Sequence, residues 1–319
     1  MTPTTETVFQ NYQIRKTKKQ KSAFIGYVQK VAEENGYTCE IQKGLFGSRN
    51  IIIGSPEKAN VIYTAHYDTC AVLPFPNFIT PKNFLIYLLY QIGIIIPIFA
   101  FACLVSFLLP FLLALPLGFL HIDPALFSLI CTFIIDLFLI GFCILLIAGP
   151  ANKHTANDNT SGVTTLLDIM LSMPEELRDG AAFVFFDLEE AGLIGSMSFA
   201  SKYKNAVRNK PLINFDCVSD GDYILFAVKK SASRYIPQLK EAFPKDSRIS
   251  AVDICSKGVF YPSDQGNFKG GIGVAALKRT KKGLLYMDRI HTPKDTVYRE
   301  ENIHFLTEGA IRLTQALAK

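Results

Sequence analysis

The stretch AAFVFFDLEEAG at 181–192 decides how the chain folds. Six apolar residues, Ala181 to Phe186, read as a buried strand. Asp187 and Leu188 follow, and then Glu189 and Glu190 stand side by side. Adjacent glutamates are ordinary at a solvated helix start, where they complement the helix dipole. The rest of the chain argues for more, because other isolated ligand-type residues also end strand-like apolar runs.

Those runs set the fold class. Strands are predicted at 50–54, 60–66, 181–188, 211–218, 223–228 and 273–279. Helical spacing of apolar residues recurs between them, as in SGVTTLLDIMLS at 161–172, SRYIPQLKEAF at 233–243 and ENIHFLTEGAIRLTQALA at 301–318. Alternating elements with near-continuous apolar strands imply an α/β domain. Its form is three αβα layers around a mixed, mostly parallel central sheet. Ligands of such sheets sit beyond the carboxyl ends of the strands, which is where Glu189 and Glu190 fall.

Composition bounds the function. The net charge of +5 is too small to argue for nucleic acid. Seven cysteines are scattered without CxxC pairs. That argues against a disulfide framework and a thiolate zinc site, and it fits a reducing compartment. The N-terminal MTPTTETVFQNYQ has no apolar core, so no signal peptide is expected. RKTKKQK at 15–21 reads as a solvated helix start, with contact with anionic lipid as the alternative.

A mean hydropathy of +0.23 is high for a soluble protein, and the excess is local. Phe84 to Leu120 carries no charge, and Ala125 to Gly149 carries only Asp136. Spanning a bilayer takes about 20 apolar residues. The 37 residues of the first run would make a straight helix of about 55 Å, too long for a hydrocarbon core of about 30 Å. Pro97, Pro110 and Pro116 offer breaks. The expected arrangement is a span near 84–108, a bent apolar connection near 110–123, and a second span near 125–148. Asp136 is costly in a bilayer and is read as facing a polar group on the first span, a functional cavity being the alternative.

The strand ends hold a set of possible metal ligands. His66-Tyr67-Asp68 follows NVIYTA, and residues two apart in an extended chain point the same way. Asp68 can therefore orient His66 without binding metal itself. Asp216 follows PLINF, Asp158 lies in NDNTSG ahead of a helix, and His291 lies in the polar turn RIHTPKDT. Two imidazoles and several carboxylates at one sheet edge suit two close divalent ions. Such a pair can polarise a carbonyl and activate a water. Adjacent glutamates can then divide the work, one binding metal and the other taking a proton from the water.

HYDT, ANDNTSG, FVFFDLEEAGLIGS, INFD and HTPKDT resemble the five signature blocks of the di-zinc aminopeptidases, a family that includes bacterial leucyl aminopeptidase, aminopeptidase Y and the glutamate carboxypeptidases. The resemblance covers about 24–70 and 152–318. It implies one zinc on His66, Asp158 and Asp216 and another on Asp158, Glu190 and His291, with Co2+ or Mn2+ as alternative metals. Asp158 would bridge, Glu189 would be the general base, and Asp68 would support from behind. The resemblance also implies a non-proline cis peptide directly after Asp158. SDQGNFKGGIG at 263–273 departs from the family's Ser-Asp-His segment by carrying Gln265.

One discontinuous peptidase domain is thus expected over 1–73 and 151–319, interrupted by a membrane hairpin over 74–150. The partners are a peptide substrate and the lipid bilayer. The positive-inside rule puts the catalytic domain in the cytoplasm, since Lys82 and Lys153 flank the insert and the connection at 110–124 has no Lys or Arg. His154 reads as a polar loop residue, His304 as surface or core of the last helix, and His121 as interfacial. The leading function is a membrane-anchored aminopeptidase that hydrolyses the N-terminal peptide bond. The alternatives are an inactive receptor or scaffold, a transporter, and a glutaminyl cyclase or carboxypeptidase on the same fold.

Overall fold

Every residue of Ala181–Phe186 is buried, as a strand covered by helices on both faces requires. A computed structural model, describing residues 1–114 and 123–318, carries this strand in a sheet of β1 (Cys39–Lys43), β2 (Arg49–Ile53), β3 (Val61–His66), β4 (Ala181–Phe186), β5 (Leu212–Phe215), β6 (Tyr223–Val228), β7 (Ala251–Cys255), β8 (Gly271–Arg279) and β9 (Leu285–Tyr286). The order is β1-β2-β4-β3-β5-β8-β6-β7, with β9 beside β8. The central strands β4, β3, β5 and β8 run parallel. Antiparallel pairs join β1 to β2, β2 to β4, β8 to β6 and β8 to β9, and β7 runs parallel to β6.

The helices are α1 (Pro3–Asn11), α2 (Lys18–Glu34), α3 (Phe84–Ala114), α4 (Pro124–Ala148), α5 (Gly162–Ser172), α6 (Ile194–Lys202), α7 (Lys204–Val207), α8 (Ile236–Ala242) and α9 (Glu300–Leu317). Side chains alternate across β4, and the layers follow from that period of two. Phe183 and Phe185 join a core with Val8 of α1, Phe24 of α2, Leu166 of α5, Leu239 of α8 and Leu306 of α9. Ala182, Val184 and Phe186 pack on the other face against Phe199 of α6 and Val207 of α7. The mixed, mostly parallel sheet between two helical layers is the architecture expected from the sequence.

Three strands were not legible. β1 and β7 are half-buried edge strands with polar or charged residues interleaved, and β9 has two residues. RKTKKQK needs a correction. Thr17 and Gln20 do form a capping box that starts α2, but Arg15 is fully buried and Lys21 nearly so. Arg15 donates to the carbonyls of Tyr67 (2.5 Å), Tyr12 (2.6 Å) and Gln13 (3.1 Å) and to Thr160 Oγ1 (3.3 Å). Lys21 donates to Asp187 Oδ1 at 2.7 Å. Buried cations are tolerated when partnered in this way, and residue type alone does not reveal such partners.

Two compact units divide the chain: Met1–Phe84 with Ala151–Lys319, and Leu85–Pro150. In the second, Phe101 and Phe107 of α3 meet Phe138 and Phe127 of α4 edge-on. Both helices are long and apolar enough to cross a membrane, and both are largely exposed. Pro97 and Pro110 lie inside α3 and end it at neither position; a run this apolar gives its backbone no partners outside the helix. Pro116 and His121 lie outside the described residues. Asp136 is exposed on α4 and no described residue hydrogen-bonds it, so the polar partner expected on the first span is not there.

Candidate metal centre and active site

Parallel register brings the candidate residues to one sheet edge. His66 ends β3, and Thr64 lies opposite Asn214 of β5, so Asp216 leaves the sheet beside His66. His66 is also opposite Phe186 of β4, and Glu189 and Glu190 follow in the next turn. Asp158 lies in the buried segment Ala156–Ser161 that leads into α5. His291 arrives from the turn after β9. Leu188, Cys217 and His291 have φ of 55°, 58° and 60°. Non-glycine residues in that region carry strain of order 1 kcal/mol or more, and they gather where side chains must be aimed.

Asp158 is the hinge of the cluster. Its Oδ1 is 3.3 Å from His66 Nε2, and its Oδ2 is 3.0 Å from His291 Nε2. Asp216 Oδ1 lies 3.5 Å from His66 Nε2, and Glu190 Oε2 lies 3.2 Å from His291 Nε2. Donor atoms of His66, Asp158 and Asp216 fall within 4.8 Å of one another, as do those of Cys70, Asp158, Glu190 and His291. The two groups share Asp158. A cavity of about 160 Å³ opens on them. Glu189, Tyr261, Ile290, Asn77 and Ile79 also line it.

Several supports were not assigned from the sequence. Asp295, within the HTPKDT segment, accepts from the backbone N–H groups of Asn157 (2.8 Å) and Asp158 (2.9 Å). The Asn159 side chain donates to the carbonyls of His66 (3.2 Å) and Phe215 (3.1 Å), tying two strand ends together. The Asp158–Asn159 peptide is cis, as the family resemblance implies. Gly162 must be glycine, because a Cβ there would stand 2.3 Å from the Phe215 carbonyl oxygen. Asp68 Oδ1 faces His66 Nδ1 at 3.6 Å, an ion-pair distance rather than a hydrogen bond, and Asp68 also accepts from the backbone N–H groups of Glu189 (3.0 Å) and Glu190 (3.3 Å). Gln265 is turned away from the cavity, donating to the Tyr261 carbonyl and accepting from Asn214. His154 and His304 are exposed.

Crowded carboxylates dominate the electrostatics. Burial raises the Glu189 carboxyl well above its ordinary value; Glu190, Asp264 and Asp216 add to this and His66 opposes it. Burial raises Asp264 to about 7, with Asp216 and Asp68 contributing. Burial acts against charge on Asp158 too, but the two imidazoles outweigh it and hold that carboxyl low. Glu190 Oε1 and both oxygens of Asp264 are buried without a described hydrogen-bond partner. Carboxylates this close need countercharge, and the nitrogen and oxygen donors suit divalent zinc. The residues therefore fit a metal centre.

The fold is that of zinc-dependent exopeptidases and glutaminyl cyclases. The LapA aminopeptidase of Legionella pneumophila superposes with a TM-score of 0.57 at 14% identity, over 99% of this chain and 70% of LapA. The glutaminyl cyclase of Porphyromonas gingivalis gives 0.55 at 16%, over 98% of both chains. A Zn-dependent exopeptidase from Parabacteroides distasonis gives 0.53 at 14%, over 98% and 97%. Against curated proteins the sequence finds no match. Residues 144–309, just over half of the chain, match peptidase family M28, and the chain belongs to that family.

Proposed function

We propose that the protein is a membrane-anchored di-zinc aminopeptidase. The observation that carries this reading is the Asp158 carboxylate, whose two oxygens face different imidazoles, His66 and His291. One ion would be held by His66, Asp158 and Asp216, the other by Asp158, Glu190 and His291. Bound ions would polarise the scissile carbonyl and lower the pKa of the attacking water. Glu189 is the general base. It lines the cavity, and burial makes it a stronger proton acceptor than an exposed carboxylate. It takes the water's proton and returns it to the leaving amine. Asp68 fixes the Glu189–Glu190 backbone while this happens. The small cavity suits the end of a peptide.

α3 and α4 form the anchor, crossing the bilayer as a hairpin. Both ends of the hairpin return to one α/β unit, so they emerge on the same side. Lys82 and Lys153 at those ends assign that side to the cytoplasm. A membrane-impermeant thiol reagent should leave Cys39 and Cys255 unlabelled in sealed cells and label them after permeabilisation; labelling in sealed cells reverses the orientation.

Activity is tested with the detergent-purified protein on free-amino and N-blocked dipeptides. Free-amino substrates should be cleaved, chelation should abolish cleavage, and zinc should restore it. A metal-loaded protein that cleaves neither substrate would be a receptor or scaffold. One that only cyclises N-terminal glutamine would be a cyclase.

A further inference from the structure

We infer that Cys70 is a protein ligand of the metal position formed by Asp158, Glu190 and His291, so that one of the two positions bears a sulfur donor and the other does not. The inference rests on the two-metal reading above.

Position in the chain supplies the first argument. Cys70 comes four residues after His66, where the chain leaves β3 along the rim of the site. Its backbone is held on both sides. Thr69 Oγ1 accepts from the Arg15 N–H at 2.9 Å, the Cys70 carbonyl accepts from the Asn152 N–H at 3.1 Å, and Ala71 bridges to Ala151. The thiol is thereby fixed in place, 1% exposed, and no described residue hydrogen-bonds it.

Distance supplies the second. The sulfur and one donor atom each of Asp158, Glu190 and His291 lie within 4.8 Å of one another. In tetrahedral geometry two donors sharing one zinc stand about 3.5 Å apart, from bond lengths of about 2.0–2.3 Å. The four donors therefore need to close by at most about 1.3 Å, a side-chain adjustment, to meet around one ion. Glu190 Oε1 is buried in the same cluster with no hydrogen-bond partner among the described residues, a further donor within reach of an ion.

Contrast with the other position supplies the third. Cys217 is also buried beside a candidate ligand, with Sγ 3.1 Å from Asp216 Oδ1, yet it does not fall in the donor group of His66, Asp158 and Asp216. That position is built from nitrogen and oxygen alone. A cation drives the proton off a coordinating thiol, and the proton leaves to solvent. The resulting thiolate favours soft ions such as Zn2+, Co2+ and Cd2+ over Mn2+ and Mg2+. The two positions should therefore differ in metal preference.

Cobalt titration of the metal-free, full-length protein in detergent tests this. Filling the Cys70 position should produce a sulfur-to-cobalt charge-transfer band in the near ultraviolet, beside the visible d–d bands that report all bound cobalt. The band should vanish in Cys70→Ser and persist in Cys217→Ser. Cys70→Ser should still bind two ions, one of them at least about 10-fold more weakly, since even supporting residues around metals are worth 10–100-fold. X-ray absorption on the zinc-loaded wild type should count one sulfur shared between two zincs, a measurement that needs no variant to fold. Two cobalt ions bound with no charge-transfer band, or a band that survives in Cys70→Ser, overturns the assignment while leaving the two-metal reading standing. A folded wild type that binds no cobalt overturns both.

Discussion

The Asp68 carboxylate lies 3.0 Å from the backbone nitrogen of Glu189, and its second oxygen reaches the next N–H of the same turn. A charge behind the catalytic turn thus orients the proposed base through the main chain. An Asn at 68 keeps one acceptor and loses the other. Asp68→Asn should lower kcat about 10–100-fold, the range for residues that support a metal site from behind. KM should change little, and both metals should be retained.

Glu189→Gln should keep both metals and lose about 10²–10⁴-fold in turnover, because an amide cannot accept the water's proton. Glu190→Gln should instead weaken metal retention. Metal analysis paired with peptide hydrolysis separates the two. Wild-type turnover by a fully loaded Glu189→Gln protein would sink the assignment of the base.

The buried pair Lys21–Asp187 joins α2 to the end of β4, with side chains 11% and 1% exposed. Lys21→Met leaves Asp187 with only the N–H groups of Arg49 and Leu188. The loss should be about 3–5 kcal/mol, as for one partner of a buried ion pair. Urea unfolding would measure it, and a change under about 1 kcal/mol would mean that the backbone donors suffice.

Arg248 ties Asp246 to Glu308 of α9, donating at 2.6 Å and 2.7 Å. Those hydrogen bonds pull the Asp246 carboxyl from 3.8 down to about 2. A depressed acid stabilises the fold above its unfolded pKa, and the stabilisation fades as pH falls through the folded value. The melting temperatures of wild type and Arg248→Gln should differ by a constant amount above about pH 5 and converge toward pH 2. A gap that is unchanged at pH 2 would contradict this.

Replacing residues 85–150 with a flexible Gly/Ser linker should give a soluble protein that binds two metals and cleaves a dipeptide. The cut respects the stretch before it, because Ile79 bridges to Met287 and Lys82 reaches Asp253 at 2.8 Å. A folded, loaded but inactive product would mean that the insert shapes the site. One that cannot fold would make the insert part of the core.

The sequence is legible where burial is continuous. β4 is apolar throughout and β3 and β5 are mostly apolar and fully buried, so their ends, and with them His66, Glu189, Glu190 and Asp216, can be located from pattern alone. β7 interleaves Asp253 with apolar residues at a sheet edge, and no run marks it. Arg15 and Lys21 look like surface cations, because composition cannot show that Tyr67, Thr160 and Asp187 wait for them across the fold. Asp295 and Asn159 act through backbone groups far away in sequence. Their residue types are common in turns, which is how they read. The exposure of Asp136 depends on how α4 is turned, and a run that is apolar all round carries no stripe to fix that rotation.

The position of the insert governs the order in which the molecule can be made. The central strand β3 pairs only with β4 and β5, Val61 with Ala181 and Ile62 with Leu212, and both partners follow the two apolar helices. During synthesis β3 and His66 emerge before either partner strand and have none to join. The β1–β2 hairpin cannot help, since β2 reaches the sheet through β4. Closing these distant contacts is slow, and β3 stays open while α3 and α4 are being translated. Under the proposed membrane anchoring, the nascent N-terminal segment waits tethered at a surface rather than free in solution. The candidate metal ligands on either side of the insert meet only after both apolar helices have left the ribosome.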